Sequence, residues 1–252
     1  RLEFKGLIMT REQYIAFDAF RNEFKAKITE WNSLAPELLK LQKEAAKDAK
    51  TPSYSFETPV VYNRALDEIT ENDEIKIIVI GDNPGKDEQL LKNNKYLVGQ
   101  AGKLGEGFFK KKPELGIDFR KNAIILNKTP VHTAKTNQIK YLLKNGSQEI
   151  KNLLEETQVW MAQKTAELSE KINAKIWLVG YSELKPKGLF SRYRETLKTY
   201  ANLKNLFVFQ HFSMNRFTID LANFQTQHKD LSLKESIETL GKEHLREIFG
   251  DN

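Results

Sequence analysis

A chain of 252 residues that is 40% hydrophobic and 29% charged has the composition of a globular protein with a sizeable core, and none of its apolar runs approaches the roughly 20 residues of a membrane helix. It has no cysteine, which excludes disulfides, thiolate zinc sites and cysteine-held iron-sulfur clusters, and leads us to expect a reducing, cytoplasmic compartment. Its 40 Lys and Arg against 34 Asp and Glu give a net charge of +6, which permits a polyanionic partner, although lysines spread along helices serve equally as a solvated surface.

The chain starts at Arg1 with neither an initiator Met nor a signal-peptide pattern, and a trimmed start is expected. From Thr10 to Trp31, Phe17, Phe20, Phe24, Ile28 and Trp31 recur at three- and four-residue spacing, the stripe of an amphipathic helix, with Thr10 and Gln13 placed as its capping box. A second helix is predicted from Pro36 to Lys50, with Leu38, Leu39 and Leu41 on its buried side. Residues 1–50 are therefore expected to form a helical arm packed on the core, and residues 51–252 an α/β domain. Thr51-Pro52-Ser53-Tyr54-Ser55, turn-rich and without apolar periodicity, is the expected linker. Val60 to Ile69 is read as a short helix leading to the first strand.

Four apolar runs have strand character: Ile75 to Ile80, Ala123 to Leu126, Lys175 to Val179 and Leu206 to Phe209. Helical patterns lie between and after them, from Glu149 to Ile172, from Leu189 to Leu203 and from Ser232 to Phe249. A further helix start follows Val98-Gly99-Gln100-Ala101-Gly102, where Leu104, Phe108 and Phe109 begin a periodic stretch. Strands alternating with helices predict right-handed crossovers and a four-stranded parallel sheet covered on both faces, a three-layer α/β/α sandwich.

Parallel strands share one direction, so the residues that follow them converge at one edge, where open α/β sheets hold their ligands. The tails are Gly81-Asp82-Asn83-Pro84-Gly85, Asn127-Lys128-Thr129-Pro130, Gly180-Tyr181-Ser182 and His211-Phe212-Ser213-Met214-Asn215-Arg216. Taken singly, each is an ordinary turn or cap. Together they predict a pocket with an Asp, two Asn and a His.

These stretches also carry a resemblance. IIVIGDNPGKDE followed by YLVGQAGKL resembles the first motif of the uracil-DNA glycosylase superfamily, a strand running into a G-x-x-P-G turn and then a V-G-x-A-G-x-L helix start. AIILNKTPVHT is similar to that family's second element, a strand ending in an asparagine, and VFQHFSMNRF to its third, an H-P-S-x strand end with a wedge loop.

The resemblance implies a monofunctional enzyme that hydrolyses the N-glycosidic bond of uracil or a related deaminated base in DNA. Such a site needs a positioned water and donors aimed at the departing base. By resemblance, Asn83 is the first choice to hold the water and Asp82 the second, and His211 donates to the base as charge builds on it. Gly81, Pro84 and Gly85 form the turn on the base-binding side of the site, and Asn127 pairs with the Watson-Crick edge of the flipped base. Leu97 falls where the family has an aromatic that stacks on uracil, leaving Tyr96 or Phe109 as substitutes. Ser213, Met214, Asn215, Arg216, Lys128 and the amides of Gly99 to Gly102 would meet DNA as wedge and phosphate contacts. The chain departs from the family at Phe212 and Met214, where prolines are usual. Its lack of cysteine excludes the iron-sulfur branch.

Other readings stand beside this one. A protein of the same fold that binds nucleic acid with weak or no catalysis is favoured by the departures at Leu97 and Phe212. A small-molecule enzyme using the same edge is less supported, because the loop has neither G-x-G-x-x-G spacing nor the Lys-Ser/Thr of a P-loop. Asp82, Asp87 and Glu88 are spaced to gather a cation, but the four His show no ligand spacing and a solvated acidic turn explains the acids. No metal or other cofactor is expected; the expected partner is DNA, with no membrane, and the expected state a monomer.

Overall fold

Four short runs of apolar residues form the centre of the molecule. In the computed structural model, which describes residues 8–250, they are β1 (Ile77–Gly81), β2 (Ala123–Asn127), β3 (Lys175–Val179) and β4 (Leu206–Phe209). All pairings are parallel and the order is β2-β1-β3-β4. β1 and β2 are buried along their whole length, the pattern of strands covered on both faces. The chain moves from β1 outward to β2 and then returns to β3 on the other side of β1. In open α/β sheets ligands bind at such a reversal, beyond the carboxyl ends of the strands, here β1 and β3.

Helices cover both faces: α1 (Arg11–Trp31), α2 (Ala35–Asp48), α3 (Gln100–Lys110), α4 (Ile139–Asn145), α5 (Gln148–Ile172), α6 (Ser191–Tyr200), α7 (Arg216–Gln227) and α8 (Leu233–Phe249). The three-layer sandwich is thus the fold. α4 and α7 were not predicted. α4 is only two turns long, and α7 begins from Asn215 in the left-handed region without a side-chain cap, so neither has a start signal.

The Thr10–Gln13 capping box of α1 is formed, and the stripe Phe17, Phe20, Phe24, Ile28 and Trp31 is buried. α1 packs on α5, where Trp160 stacks on Phe20 and Phe24. The apolar core runs without a break from these residues through the sheet to α8. Residues 1–7 of the expected arm and 251–252 of the expected α/β domain lie outside the described residues.

Two expectations between α2 and β1 change. Val60 to Ile69 is not an α-helix: Val60 bridges Val131 in antiparallel fashion and only Arg64–Glu68 makes a 3-10 turn. The Asn63 side chain breaks the helix by accepting from the N–H groups of Ala65 and Tyr96. The linker is tied down as well, since Tyr54 donates its hydroxyl to His132 Nε2 at 3.0 Å and Gln138 donates to the Thr51 hydroxyl at 2.8 Å.

Candidate functional site

The turn after β1 is clamped from the segment after β2. Asn83 Nδ2 donates to the Thr133 hydroxyl at 2.8 Å and to the Val131 carbonyl at 3.2 Å, so its amide group is fixed. The Pro84 carbonyl accepts from His132 Nδ1–H at 2.9 Å and from the Thr133 N–H at 3.2 Å. His132 is buried, which pushes its pKa down to about 4, and it holds the turn as a neutral ring with Tyr54 on its other nitrogen. Behind it, Gln42 of α2 donates to the carbonyls of Pro59 and His132. The PVHT segment was visible in the sequence, but its task as a clamp was not, because the clamp depends on long-range bonds.

Asp82 takes a different environment. Its Oδ1 accepts from Lys128 Nζ at 2.5 Å, and the same ammonium donates to the carbonyls of Val179 at 2.7 Å and Gly81 at 3.3 Å. Lys128 was expected on a positive rim facing phosphate. It is instead wholly buried, because the residue after Asn127 turns to the opposite face, where three oxygens take all three of its protons. Burial lowers its pKa and the Asp82 carboxylate opposes that. Gly180, at φ +85°, closes this corner: a Cβ there would lie 2.8 Å from Asp82 Oδ1 and 3.1 Å from His211 Cδ2. Asp82 and His211 therefore meet across the glycine that opens the third tail.

The Asn127 carboxamide stands at the end of β2, in register with Gly81. It is 1% exposed, and both its Oδ1 and its Nδ2 are buried without a hydrogen-bond partner. A Cβ on Gly81 would lie 2.5 Å from Oδ1, so only glycine leaves this carboxamide its place; the same Cβ would be in ordinary contact with Leu97 Cδ2, at 3.7 Å. Leu97 has φ +51°, an unfavourable backbone for a bulky side chain. Tyr96 and Phe109 do not substitute for a base-stacking aromatic. Tyr96 is in the core with its hydroxyl on the Val61 carbonyl, and Phe109 is packed between Phe119 and Trp177.

His211 is fixed by its neighbour. Its Nδ1 accepts from the Ser213 N–H at 3.0 Å and lies 2.7 Å from the Ser213 hydroxyl. A neutral ring held this way carries its proton on Nε2 and can donate it. Burial lowers the His211 pKa, Asp82 opposes, and Lys128 and Arg216 add to the lowering, so the neutral form is favoured. Ser213, expected at a phosphate, thus has both its N–H and its hydroxyl engaged with the ring. Beyond it, Met214 is 75% exposed, and Met214 and Asn215 both have positive φ, near +55° and +57°. Arg216 is exposed at the start of α7. Two consecutive left-handed non-glycine residues push this loop outward as a strained tip.

Glu88 overturns the reading of a solvated acidic turn. It is 6% exposed, and burial raises its pKa to about 7 against the N–H groups of Gly85 and Leu97 that favour its charge. Asp87 and Glu88 both lie beside Gly99 at the start of α3, so this helix end already has carboxylates for company. It does not add to a positive rim. Between pH 4.5 and 7 the folded protein keeps a proton on Glu88 that the unfolded chain gives up, so stability falls as pH rises through that window, by about 3 kcal/mol in all. Urea unfolding at acid and mildly alkaline pH is expected to show this loss in the wild type and to lack it in Glu88→Gln; an unchanged pH dependence in the variant would contradict the assignment.

A cleft of about 430 Å³ lies between Leu66, Tyr96, Lys103 and Arg120, and Asn83, Asn127 and His211 are not among its walls. Among the described residues no group of acids and histidines is gathered as for a metal ion, and no helix is long and apolar enough to cross a membrane.

By its fold the chain is a three-layer α/β sandwich with an unpartnered carboxamide at the carboxyl edge of its sheet. Comparison with protein-family models gives no match, and comparison with curated proteins gives none either.

Proposed function

We propose that the chain is a DNA glycosylase that hydrolyses the N-glycosidic bond of uracil or a related deaminated base. The observation that carries this reading is the Asn127 carboxamide. A buried amide with neither atom paired is costly in a folded protein, and its natural complement is a ligand with an adjacent carbonyl and N–H, the edge that uracil presents. His211 supports it as a neutral donor through Nε2, suited to the negative charge that develops on a leaving base. Asn83, anchored through Nδ2, keeps Oδ1 for the attacking water, and Asp82 lies nearby with its charge matched by Lys128. Met214 is the apolar wedge of the exposed loop and Arg216 its phosphate contact.

The test is release of free base from uracil-containing single strands, from U:G duplexes and from hypoxanthine-containing DNA. Release is expected from at least one of them, with loss in Asn83→Ala/Asp82→Ala. No release from any of the three substrates rejects the reading.

A second reading, nucleic-acid binding with weak or no hydrolysis, is favoured by Leu97 in the space over Asn127 and by the pairing of Asp82 with Lys128. It predicts salt-sensitive DNA binding without base release, with affinity falling steeply as salt rises.

A further inference from the structure

We propose that Leu97 is the size-determining residue of the base site: its side chain lies beside the Asn127 carboxamide and is displaced when a base arrives. The inference rests on the glycosylase reading and goes beyond it by naming what sets the size of the base admitted.

Three observations carry it. Asn127 is sealed, at 1% exposure, and so is Leu97, at 4%. One position, where a Cβ of Gly81 would stand, is 2.5 Å from Asn127 Oδ1 and 3.7 Å from Leu97 Cδ2, so the two side chains border the same point at the end of β1. The backbone of Leu97 is gripped on every side. Its carbonyl accepts from Arg120 Nη2 at 2.7 Å, and its N–H faces the buried Glu88 carboxylate. Gly102 of α3 approaches so closely that a Cβ there would lie 1.4 Å from the Leu97 oxygen. The preceding residue is locked through the Tyr96 hydroxyl on Val61.

These contacts hold the backbone at its positive φ. The part free to move is the isobutyl side chain, by rotamer change. What it vacates is the volume of one leucine side chain, room for a single ring over the carboxamide. A two-ring base needs more space than the fixed backbone leaves. Leu97 therefore opposes every base by the cost of its own displacement, and opposes purine-sized bases most.

The experiment uses the full chain with free uracil and free hypoxanthine as probes, followed by the side-chain amide signal of Asn127 in ¹⁵N-labelled protein and assigned by its loss in Asn127→Asp. Wild type is expected to respond to uracil and not to hypoxanthine. Leu97→Ala is expected to bind uracil about tenfold more tightly and to accept hypoxanthine. Leu97→Gly is expected to behave likewise, and it guards against misfolding because glycine suits the φ found there. Equal uracil affinity in all three proteins, with hypoxanthine excluded throughout, overturns the role of Leu97 while leaving the base site standing. No response of Asn127 to either base in any of the three overturns the base site and this proposal together.

Discussion

Asn127→Leu is expected to make the protein more stable and to abolish base release. In most buried sites the loss of an asparagine removes hydrogen bonds and weakens the fold. Here both polar atoms of the carboxamide are buried and bond to nothing, so the wild type carries a desolvation cost of about 1 to 3 kcal/mol with no return. An apolar side chain of similar size removes that cost and adds contacts with Leu97. Urea unfolding should show a gain of about 2 kcal/mol. Release of uracil should fall by at least about a hundredfold, the scale for loss of a group aimed at developing charge. A less stable variant would mean that the carboxamide has a structural partner in solution, and the site would lose its main support.

Lys128→Met is expected to be among the most damaging single changes in the chain. It leaves the Asp82 carboxylate, 15% exposed, without its counter-charge, and breaking a buried pair from one side costs about 3 to 5 kcal/mol. Changing both partners, Lys128→Met with Asp82→Asn, removes the stranded charge and should recover most of that loss. The measurement is a double-mutant cycle by urea unfolding. Additive losses would show that Lys128 stabilises through its bonds to the Val179 and Gly81 carbonyls and that its charge matters little.

The sheet, its all-parallel pairing and the longer helices were legible in the sequence because each strand is built on an apolar run of at least four residues and each long helix carries an apolar stripe. β3 and β4 even begin and end where the pattern places them. The convergence of the four tails was legible for the same reason, since parallel strands leave little choice about where their ends lie. What each tail residue does there was less so. Lys128 follows Asn127 by one position and looks like its partner in a shared site, yet neighbouring residues at a strand end face opposite ways, and one lies over β1 with Leu97 while the other lies under it with Asp82. Glu88 sits among Lys86 and Asp87 and looks solvated, but the turn folds its carboxylate under Gly85 and Leu97. The sign of a charge can be read from one line of sequence, whereas its burial depends on chain segments far away.

Gln42 reaches from α2 to the carbonyls of Pro59 and His132, and His132 in turn holds the Pro84 carbonyl. This relay makes residues 51–55 a misleading place to divide the molecule. Cutting there would spare every strand and every member of the candidate site, so the shortened protein would still have a complete inventory of parts. It would lack the splint that sets the Asn83 turn, and losing that splint is a loss of alignment rather than of chemistry. The arm and the turn are best treated as one mechanical unit: any exchange of the first two helices for those of another protein must also carry across the glutamine that spans them.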